Sequence, residues 1–365
     1  TRHQYTVIPV STSGQLGAEA SAEARVNPYI NVRQAPYWAK GDGVTDDTEA
    51  LQNAFHDWTA KTSFIYIPDG TYLLNHYLEF SDYVKSAKRM MVVGQSQAGT
   101  ILKWQDSLPQ YADPQNPRSM LDPYTGPEGP AGDPARDEIN YQAFHNSLRN
   151  LTIDTGSGNP GAIAVRWTNN NTGGLENVTI RSGDGQGVIG LDLSKQWTGP
   201  GYMKNLTIEG FDVGINGDND VYNMVFEDLT LKNQRVCGIR NRDYPMAIRR
   251  LHSENIVPVL INEDSPLETE FDGDTVISNR GTNSMVTIVD ADFTGGTAEA
   301  AIENPRGAVF LRNVRAEGYG RLLNDQGRPF DGLYTEEYST LYTVTAFEDS
   351  ERASLNLPME DTPAL

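Results

Sequence analysis

The chain has 365 residues, a formal net charge of −20 at pH 7 and a pI of about 4.6. This acidity argues against a nucleic-acid partner, because a phosphate backbone requires a basic face on the protein. The only cysteine, Cys237, excludes an internal disulfide bond, and the sequence has no run of about 18 apolar residues that would span a membrane. The length suits one long solenoid or two ordinary domains.

The first elements are an arm, a turn and a helix. Residues 1–28 are polar, with an alanine- and serine-rich part, and predict an irregular N-terminal arm. The glycines of 39–48 predict a turn, and Asp46 is a good N-cap for a helix over about 46–60. The apolar face of this helix comprises Leu51, Ala54, Phe55 and Trp58. At this position the helix would cover the open end of a solenoid core.

A long, acidic interval follows at 106–142. Its prolines are Pro109, Pro114, Pro117, Pro123, Pro127, Pro130 and Pro134. We expect a loop here, and a loop of this length is usually functional or disordered. One hypothesis is that it forms a wall of a substrate groove.

The region from 149 to 324 is repetitive. One phrase recurs as Asn150-Leu-Thr-Ile, Asn177-Val-Thr-Ile, Asn205-Leu-Thr-Ile and Asp228-Leu-Thr-Leu, and a second phrase ends at Arg166, Asp192, Asn216 and Arg240. A period of roughly 20–30 residues is typical of a solenoid, and the alternation of apolar and polar residues predicts short strands. We therefore predict an all-β fold, a right-handed, single-stranded parallel β-helix of about nine coils over 29–346. Residues 347–365 are expected to form a linker-like tail.

Two parts of the sequence resemble a known superfamily. The run 31–74, with its Gly-Asp-Gly-x-x-Asp-Asp-Thr turn and Pro-x-Gly-x-Tyr turn, resembles the opening of pectate-lyase-superfamily β-helix proteins. The turns at 166–171 and 198–203 resemble those of the N-terminal helix of two-helix exo-β-1,3-glucanases. In those enzymes the substrate lies between two helices and the second supplies the principal acid. The turn residues that help to position water differ here, with Asn171 and Gly199 at the corresponding places.

The outward positions of the strands supply candidate catalytic residues. If Leu191 points into the core, Asp192 points outward, and Asp218 lies one coil away and two residues further on. Strand rise and spacing then put the two carboxylates about 8 Å apart. This separation suits an inverting glycosidase, which places an acid on one side and a water-activating base on the other. A solvated acidic face is the alternative interpretation of any one of these residues.

Further residues are candidates for substrate binding. Trp167 and Trp197 follow outward strands and are predicted to stack on sugar rings, with turn packing as the alternative. The predicted polar contacts to substrate come from Asn171, Asn216, Arg240, Arg242 and Glu263. Asn262 and Glu303 fall in the same outward column.

Two other functions remain open at this stage. Arg240, Arg242, Arg249 and Arg250 form one basic cluster in the sequence, which would suit a lyase acting on uronic-acid polymers. Ion pairing with Asp218, Asp220, Asp243 and Glu263 is the competing interpretation of these arginines. The third hypothesis is a non-catalytic glycan-binding or tailspike-like module, which is often a trimer.

The preferred hypothesis is a β-1,3-glucanase-like glycoside hydrolase that degrades an extracellular polysaccharide. It implies a secreted or cell-surface protein, no cofactor and no metal, and either a second β-helix half or a homo-oligomer as partner. The sequons at Asn150, Asn170, Asn177 and Asn205 do not require glycans, since three belong to the repeat phrase and corner hydrogen bonding explains them.

Overall fold

The computed structural model describes residues 5–7, 20–22, 29–57, 64–79, 90–122, 144–195, 198–218, 222–263, 268–272, 275–280 and 284–340. Within these ranges the chain has one α-helix, α1(Thr48–Asp57), and 28 strands, most of them in two long sheets. No helix in this part of the chain is long and apolar enough to cross a membrane.

The two sheets take alternate strands of the chain, which is the topology of a parallel β-helix. Sheet 1 comprises β7(Leu78–Glu79), β10(Arg118–Asp122), β12(Ala162–Arg166), β14(Ile189–Asp192), β16(Val213–Asp218), β18(Cys237–Arg242), β20(Leu260–Glu263), β24(Ala300–Asn304), β26(Arg321–Asp325) and β27(Arg328–Pro329). Sheet 2 comprises β3(Tyr29–Asn31), β4(Asp42–Asp46), β5(Phe64–Ile67), β6(Gly70–Leu74), β8(Met91–Gly94), β9(Thr100–Trp104), β11(Ser147–Asp154), β13(Gly174–Arg181), β15(Gly201–Glu209), β17(Met224–Lys232), β19(Met246–Asn255), β23(Met285–Gly295), β25(Ala308–Ala316) and β28(Tyr334–Ser339). Two antiparallel pairs stand apart: β1(Tyr5–Val7) with β2(Ala20–Ala22), and β21(Glu268–Asp272) with β22(Thr275–Arg280).

The repeat phrase marks a bend within the sheet 2 strands. Asn150, Asn177, Asn205 and Asp228 all have a positive φ, which asparagine and aspartate tolerate better than most residues. The Asn177 amide donates to Asn150 Oδ1 at 2.9 Å, and the Asn205 amide donates to Asn177 Oδ1 at 2.8 Å. The prediction that corner hydrogen bonding explains this phrase is confirmed.

The core is a column of aliphatic and aromatic side chains between the sheets. Leu151, Val178, Leu206 and Leu229 stand in register on adjacent strands and are buried, as is Cys237. Helix α1 buries Leu51, Ala54 and Phe55 in the same core and packs against β6 and β7. A helix within the predicted range of 46–60 is therefore confirmed, although 58–60 lie outside the described residues.

The aspartates before α1 hold the turn together. The Asp47 carboxylate accepts hydrogen bonds from the amides of Lys40 (2.6 Å) and Gly41 (2.8 Å). The Asp46 carboxylate accepts the Thr48 amide at 3.0 Å, as expected of a cap at the start of the helix.

After β18, the predicted alternation of inward and outward residues is displaced by one position from the alternation in the structure. Arg240 pairs with Ile261, and Asn241 pairs with Asn262, so Asn262 lies inside the solenoid and is fully buried. The prediction that Asn262 belongs to the outward column is wrong, because the echo phrase at 259–262 is offset by one position from its neighbours.

Three other boundaries differ from expectation or lie outside the described ranges. The interval 106–142 is not an unbroken loop, since β10 lies within it and contributes to sheet 1. The arm 1–28 contains the β1–β2 pair. The strand suggested at 341–346 and the tail 347–365 lie outside the described residues.

The last coil is covered by strands that run the other way. β28 pairs antiparallel with β25, and β27 pairs antiparallel with β26. The parallel stack therefore ends on two antiparallel strands, which leave no parallel edge at this end of the described helix.

Candidate functional site

The carboxyl ends of the parallel sheet 1 strands meet at one corner of the solenoid. Long connections leave from this corner: residues 123–146 lead from β10 to β11, and residues 264–284 lead from β20 to β23. At the opposite corner, residues 233–236 and 256–259 suffice to connect sheet 2 to sheet 1. Binding residues commonly lie on loops held by a rigid scaffold, so the carboxyl-end corner is the place to look for a site.

We use the term edge strip for the polar side chains at these strand ends. Its members are Asp122, Arg166, Asp192, Lys195, Asn216, Asp218, Arg240, Arg242, Glu263 and Glu303. Most take the outward positions of consecutive sheet 1 strands, about 4.8 Å apart from one coil to the next.

Of the edge-strip residues that the sequence analysis identified as candidates, Asp192 is the most buried. It points away from the core as predicted, yet its side chain is only 3% exposed. Its carboxylate accepts hydrogen bonds from Arg166 Nε (3.0 Å), Asn216 Nδ2 (3.0 Å) and the Ser194 amide (3.1 Å). The prediction of an open catalytic carboxylate at Asp192 does not agree with this burial. The carboxylate instead fixes the positions of Arg166 and Asn216.

A second ion pair extends this network. Lys195 Nζ lies 2.7 Å from Asp122 Oδ1, and both side chains are largely buried. Burial lowers the pKa of the Lys195 ammonium, and the Asp122 carboxylate only partly opposes this effect. Burial also acts to lower the pKa of Arg166, but the charges of Asp122 and Asp192 outweigh it and raise that pKa. The sequence analysis did not identify Asp122 and Lys195 as site residues, because the prolines around β10 led to the prediction of a loop in place of this strand.

The other end of the edge strip is open to solvent. Arg242 lies between two carboxylates, with Nη1 3.5 Å from Asp218 Oδ2 and Nη2 3.4 Å from Glu263 Oε2. All three side chains are partly exposed. In the register of the structure, Asp218, Arg242 and Glu263 share one outward column.

The remaining polar candidates also lie at this corner. Arg240 stands between Asn216 and Ile261 and forms no ion pair among the described residues. Asn171 is exposed in the turn after β12. Glu303 accepts the Asn324 amide at 2.8 Å.

The aromatic candidates do not supply the predicted stacking surface. Trp167 is fully buried in the core, and its Nε1 donates to Asn169 Oδ1 at 2.5 Å. Its predicted role in sugar stacking is therefore wrong, because a fully buried indole cannot reach a sugar ring. Trp197 lies outside the described residues.

The predicted arginine cluster is divided between the two sheets. Arg240 and Arg242 belong to β18 in sheet 1, whereas Arg249 and Arg250 belong to β19 in sheet 2. Arg249 and Arg250 pair there with Glu227, Asp228 and Asp290. Arg242 forms the predicted ion pairs with Asp218 and Glu263, whereas Arg249 and Arg250 pair with other carboxylates, and the four arginines do not form a single cluster.

The chemistry available at the edge strip is hydrogen bonding by charged groups that neutralise one another. Acidic and basic side chains alternate, and their charges nearly balance. No group of three or more His, Cys, Asp or Glu in the described ranges has an arrangement that would hold a metal ion. Carboxylates, guanidinium groups and amides of this kind can bind the hydroxyl groups of a neutral ligand, and an accessible carboxylate can activate water.

Comparison with known proteins finds a relative, similar solved structures and a family. A glucan 1,3-beta-glucosidase of Cochliobolus carbonum is 29% identical over 227 residues, which cover 58% of this chain and 26% of that protein. The chain therefore spans about a quarter of the length of this relative.

Similar solved structures include the A-module of a mannuronan C-5 epimerase from Azotobacter vinelandii (16% identity, TM-score 0.44, covering 82% of this chain and 79% of that one). A family 28 exopolygalacturonase of Yersinia enterocolitica is 13% identical with a TM-score of 0.44, covering 89% of this chain and 66% of that one. The family model described as rhamnogalacturonase A/epimerase, pectate lyase-like matches residues 29–256. The chain belongs to this pectate lyase-like family.

Proposed function

We propose that this chain acts on a neutral β-1,3-linked glucan as a glycoside hydrolase, with the glucan lying along the edge strip. The observation that carries the proposal is the charge balance of the strip. Arg166, Lys195 and Arg242 each contact a carboxylate, which leaves Arg240 as the one cation of the strip without an ion pair among the described residues, so little positive charge remains to attract a polyuronate. A relative named as a glucan 1,3-beta-glucosidase supports the same substrate class.

Each part of the edge strip has a role in this proposal. Asp218, Arg242 and Glu263 are accessible and contact the hydroxyl groups of the glucan. Asp218 is the member of the predicted catalytic pair that substrate can reach, and it acts as the base that activates water. Asp192 is a positioning residue, which holds Arg166 and Asn216 in place.

The proton donor for this reaction comes from outside the described strip. Asp192 is covered, and its oxygens accept three hydrogen bonds, so it cannot reach the leaving-group oxygen. This arrangement agrees with the two-helix enzymes, in which a second half supplies the acid. The proposal therefore includes a second β-helix half as the structural partner, and a secreted or cell-surface location.

The test is a comparison of substrates and of two matched variants, made with this chain in assembly with the second β-helix half that supplies the proton donor. Laminarin should release reducing ends, and pectate should release neither reducing ends nor unsaturated products that absorb in the ultraviolet. Asp218→Asn should lower the rate on laminarin by about 100-fold or more, the contribution of a general base. Asp290→Asn, which removes a partly exposed carboxylate from sheet 2, should leave the rate unchanged.

Other results would change the conclusion. Ultraviolet-absorbing products from pectate would support a lyase in place of a hydrolase. Laminarin binding without release of reducing ends would indicate a glycan-binding module. An unchanged rate in Asp218→Asn would remove this residue from the catalytic role.

A further inference from the structure

A cleft of about 700 Å³ lies at the corner opposite the edge strip. Its walls include Asn233, Arg235, Glu254, Ile256, Val257 and Thr294, which belong to the ends of three successive sheet 2 strands and the turns that follow them. This volume lies within the range of about 300–1,000 Å³ that is usual for ligand sites.

The cleft is separate from the edge strip. Arg235 precedes β18, whereas Arg242 ends it, and the intervening strand of six residues is roughly 17 Å long at the usual rise per residue. A ligand in the cleft therefore does not contact the proposed glucan site on the same coil.

The charged groups around the cleft are neutralised. Arg235 Nη2 lies 2.8 Å from Asp212 Oδ1, and Glu254 Oε1 lies 3.1 Å from Lys232 Nζ. Glu254 also contacts His252 Nε2 at 2.8 Å. A neutral ligand is favoured over an ionic one, since the cleft offers hydrogen-bonding groups without a large unpaired charge.

Apolar surface lies beside these polar groups. Ile256 is 76% exposed, which is unusual for an isoleucine, and Val257 follows it on the same wall. The exposed Asn233 side chain has no hydrogen-bond partner within the described ranges. A sugar ring has one apolar face and hydroxyl groups around its edge, so this combination of an aliphatic wall and amide, carboxylate and guanidinium groups is complementary to it.

The floor of the cleft is rigid. Gln234 and Asn255 are both buried, and Asn255 Nδ2 donates to Gln234 Oε1 at 2.8 Å. Gln234 Nε2 in turn donates to the carbonyls of Lys232 (2.8 Å) and Gly210 (3.1 Å). The walls are thus held in place before a ligand arrives, which lowers the entropic cost of binding.

We propose that this cleft is a second binding site for a short, neutral gluco-oligosaccharide. The choice of sugar rests on the proposed function, whereas the site itself rests on the cleft and its lining. A glucan chain held there would keep the enzyme on its polymer while the edge strip acts on another chain or on another part of the same one.

The test is calorimetric titration of the full chain with laminaritriose. The wild-type protein should show two sites. Ile256→Ser should weaken one of them at least 10-fold, because it removes the aliphatic contact. Val44→Ser is the matched control, since Val44 is 80% exposed and lies far along the chain in β4. Arg242→Ala should weaken the other site and leave the cleft intact.

The outcomes separate this proposal from the proposed function. A single site that Ile256→Ser leaves unchanged would overturn the cleft proposal, even if laminarin is hydrolysed. Binding that depends on Ile256 without any hydrolysis of laminarin would support the cleft and overturn the hydrolase. An absence of laminaritriose binding would overturn the cleft proposal, and the hydrolysis assay would then decide the proposed function alone.

Discussion

Asn241 donates its side-chain amide to Oδ1 of Asn262 at 2.8 Å, on the inside of the solenoid. The contact continues on the next coils, from Asn262 to Asn304 at 2.8 Å and from Asn304 to Asp325 at 2.6 Å. All four residues are buried. This internal ladder pairs the side-chain amide groups of Asn241, Asn262 and Asn304 beside the aliphatic core, where an unpaired amide would be costly, and only Asn241 Oδ1 among its atoms lacks a partner within the described residues.

Removing one rung should therefore destabilise the whole helix. Asn262→Ala removes the partners of the Asn241 amide and of Asn304 Oδ1, and the expected loss in the free energy of unfolding is about 1–3 kcal/mol. Urea denaturation measures this loss. Asn53→Ala, on the exposed face of α1, should change the value by less than about 0.5 kcal/mol. Equal effects in both variants would contradict a stabilising role for the ladder.

Loss of the charge at Asp192 should lower the free energy of unfolding much more than loss of the charge at Asp218. Asp192→Asn removes one partner of a mostly buried ion pair, and we expect a loss of about 3 kcal/mol in the free energy of unfolding. Asp218→Asn breaks an exposed pair and should cost less than about 1 kcal/mol. Thermal or urea unfolding of both variants, set beside their rates on laminarin, tests the division between a positioning and a catalytic residue. A large loss of stability in Asp218→Asn would argue against the assignment of Asp192 as the positioning residue and Asp218 as the catalytic residue.

Glu227 should stabilise the protein at neutral pH and lose this effect in acid. The hydroxyl of Tyr202 makes the largest contribution to lowering the pKa of Glu227 to about 2; burial opposes it, and Arg250 and Lys204 lower the pKa further. Because the folded pKa is lower than the usual 4.5, the stabilisation is complete above that value and is lost as the pH falls towards 2.

The corresponding variant is Glu227→Gln. A shift of this size corresponds to about 3 kcal/mol at pH 7, and the difference from wild type should shrink steadily as the pH is lowered from 5 to about 3. Unfolding in urea at several pH values measures it. The exposed Glu336→Gln variant should show little difference at any pH. A difference for Glu227→Gln that does not change with pH would contradict the assignment.

His252 should have the opposite dependence on pH. Burial acts to lower the pKa of His252, but hydrogen bonds to Glu254 and Asp292 and their charges outweigh it and raise the pKa. With a raised folded pKa, the stabilisation is complete below the unfolded value of about 6.5 and is lost as the pH rises through the folded one. His252→Gln should therefore be less stable than wild type at pH 6, by no more than about 1 kcal/mol for these exposed groups, and similar to it at pH 9. NMR titration of the imidazole provides a direct check on the direction of the shift.

The sequence predicts the parts of the fold that repeat. Asn150, Asn177 and Asn205 align by eye, and their strands are in that register in the structure, because the same residue in successive repeats occupies an equivalent position in a stack. The prediction fails where the repeat is imperfect. The phrase at 259–262 resembles its neighbours but is offset by one residue, and a shift of one residue moves every side chain of a strand to the other face.

The site is less predictable than the fold, because it depends on contacts across corners. Arg242 and Arg249 are close in sequence, yet a turn places them on different sheets. Asp122 and Lys195 are far apart in sequence but form an ion pair at 2.7 Å. The burial of Trp167 depends on packing in the core, which the alternation of residues along its strand does not encode.

The antiparallel strands at the end of the solenoid have a consequence for solubility. An exposed parallel coil is a template on which the same coil of another molecule can add, and repeated addition produces fibrils. In this protein the end of the stack presents β28, whose direction is reversed and which carries Glu336 and Glu337 on its exposed positions. An approaching copy would meet both the wrong strand direction and like charges. Within the described residues, the long stack of strands therefore ends in a reversed and charged strand, which disfavours growth into amyloid-like fibres.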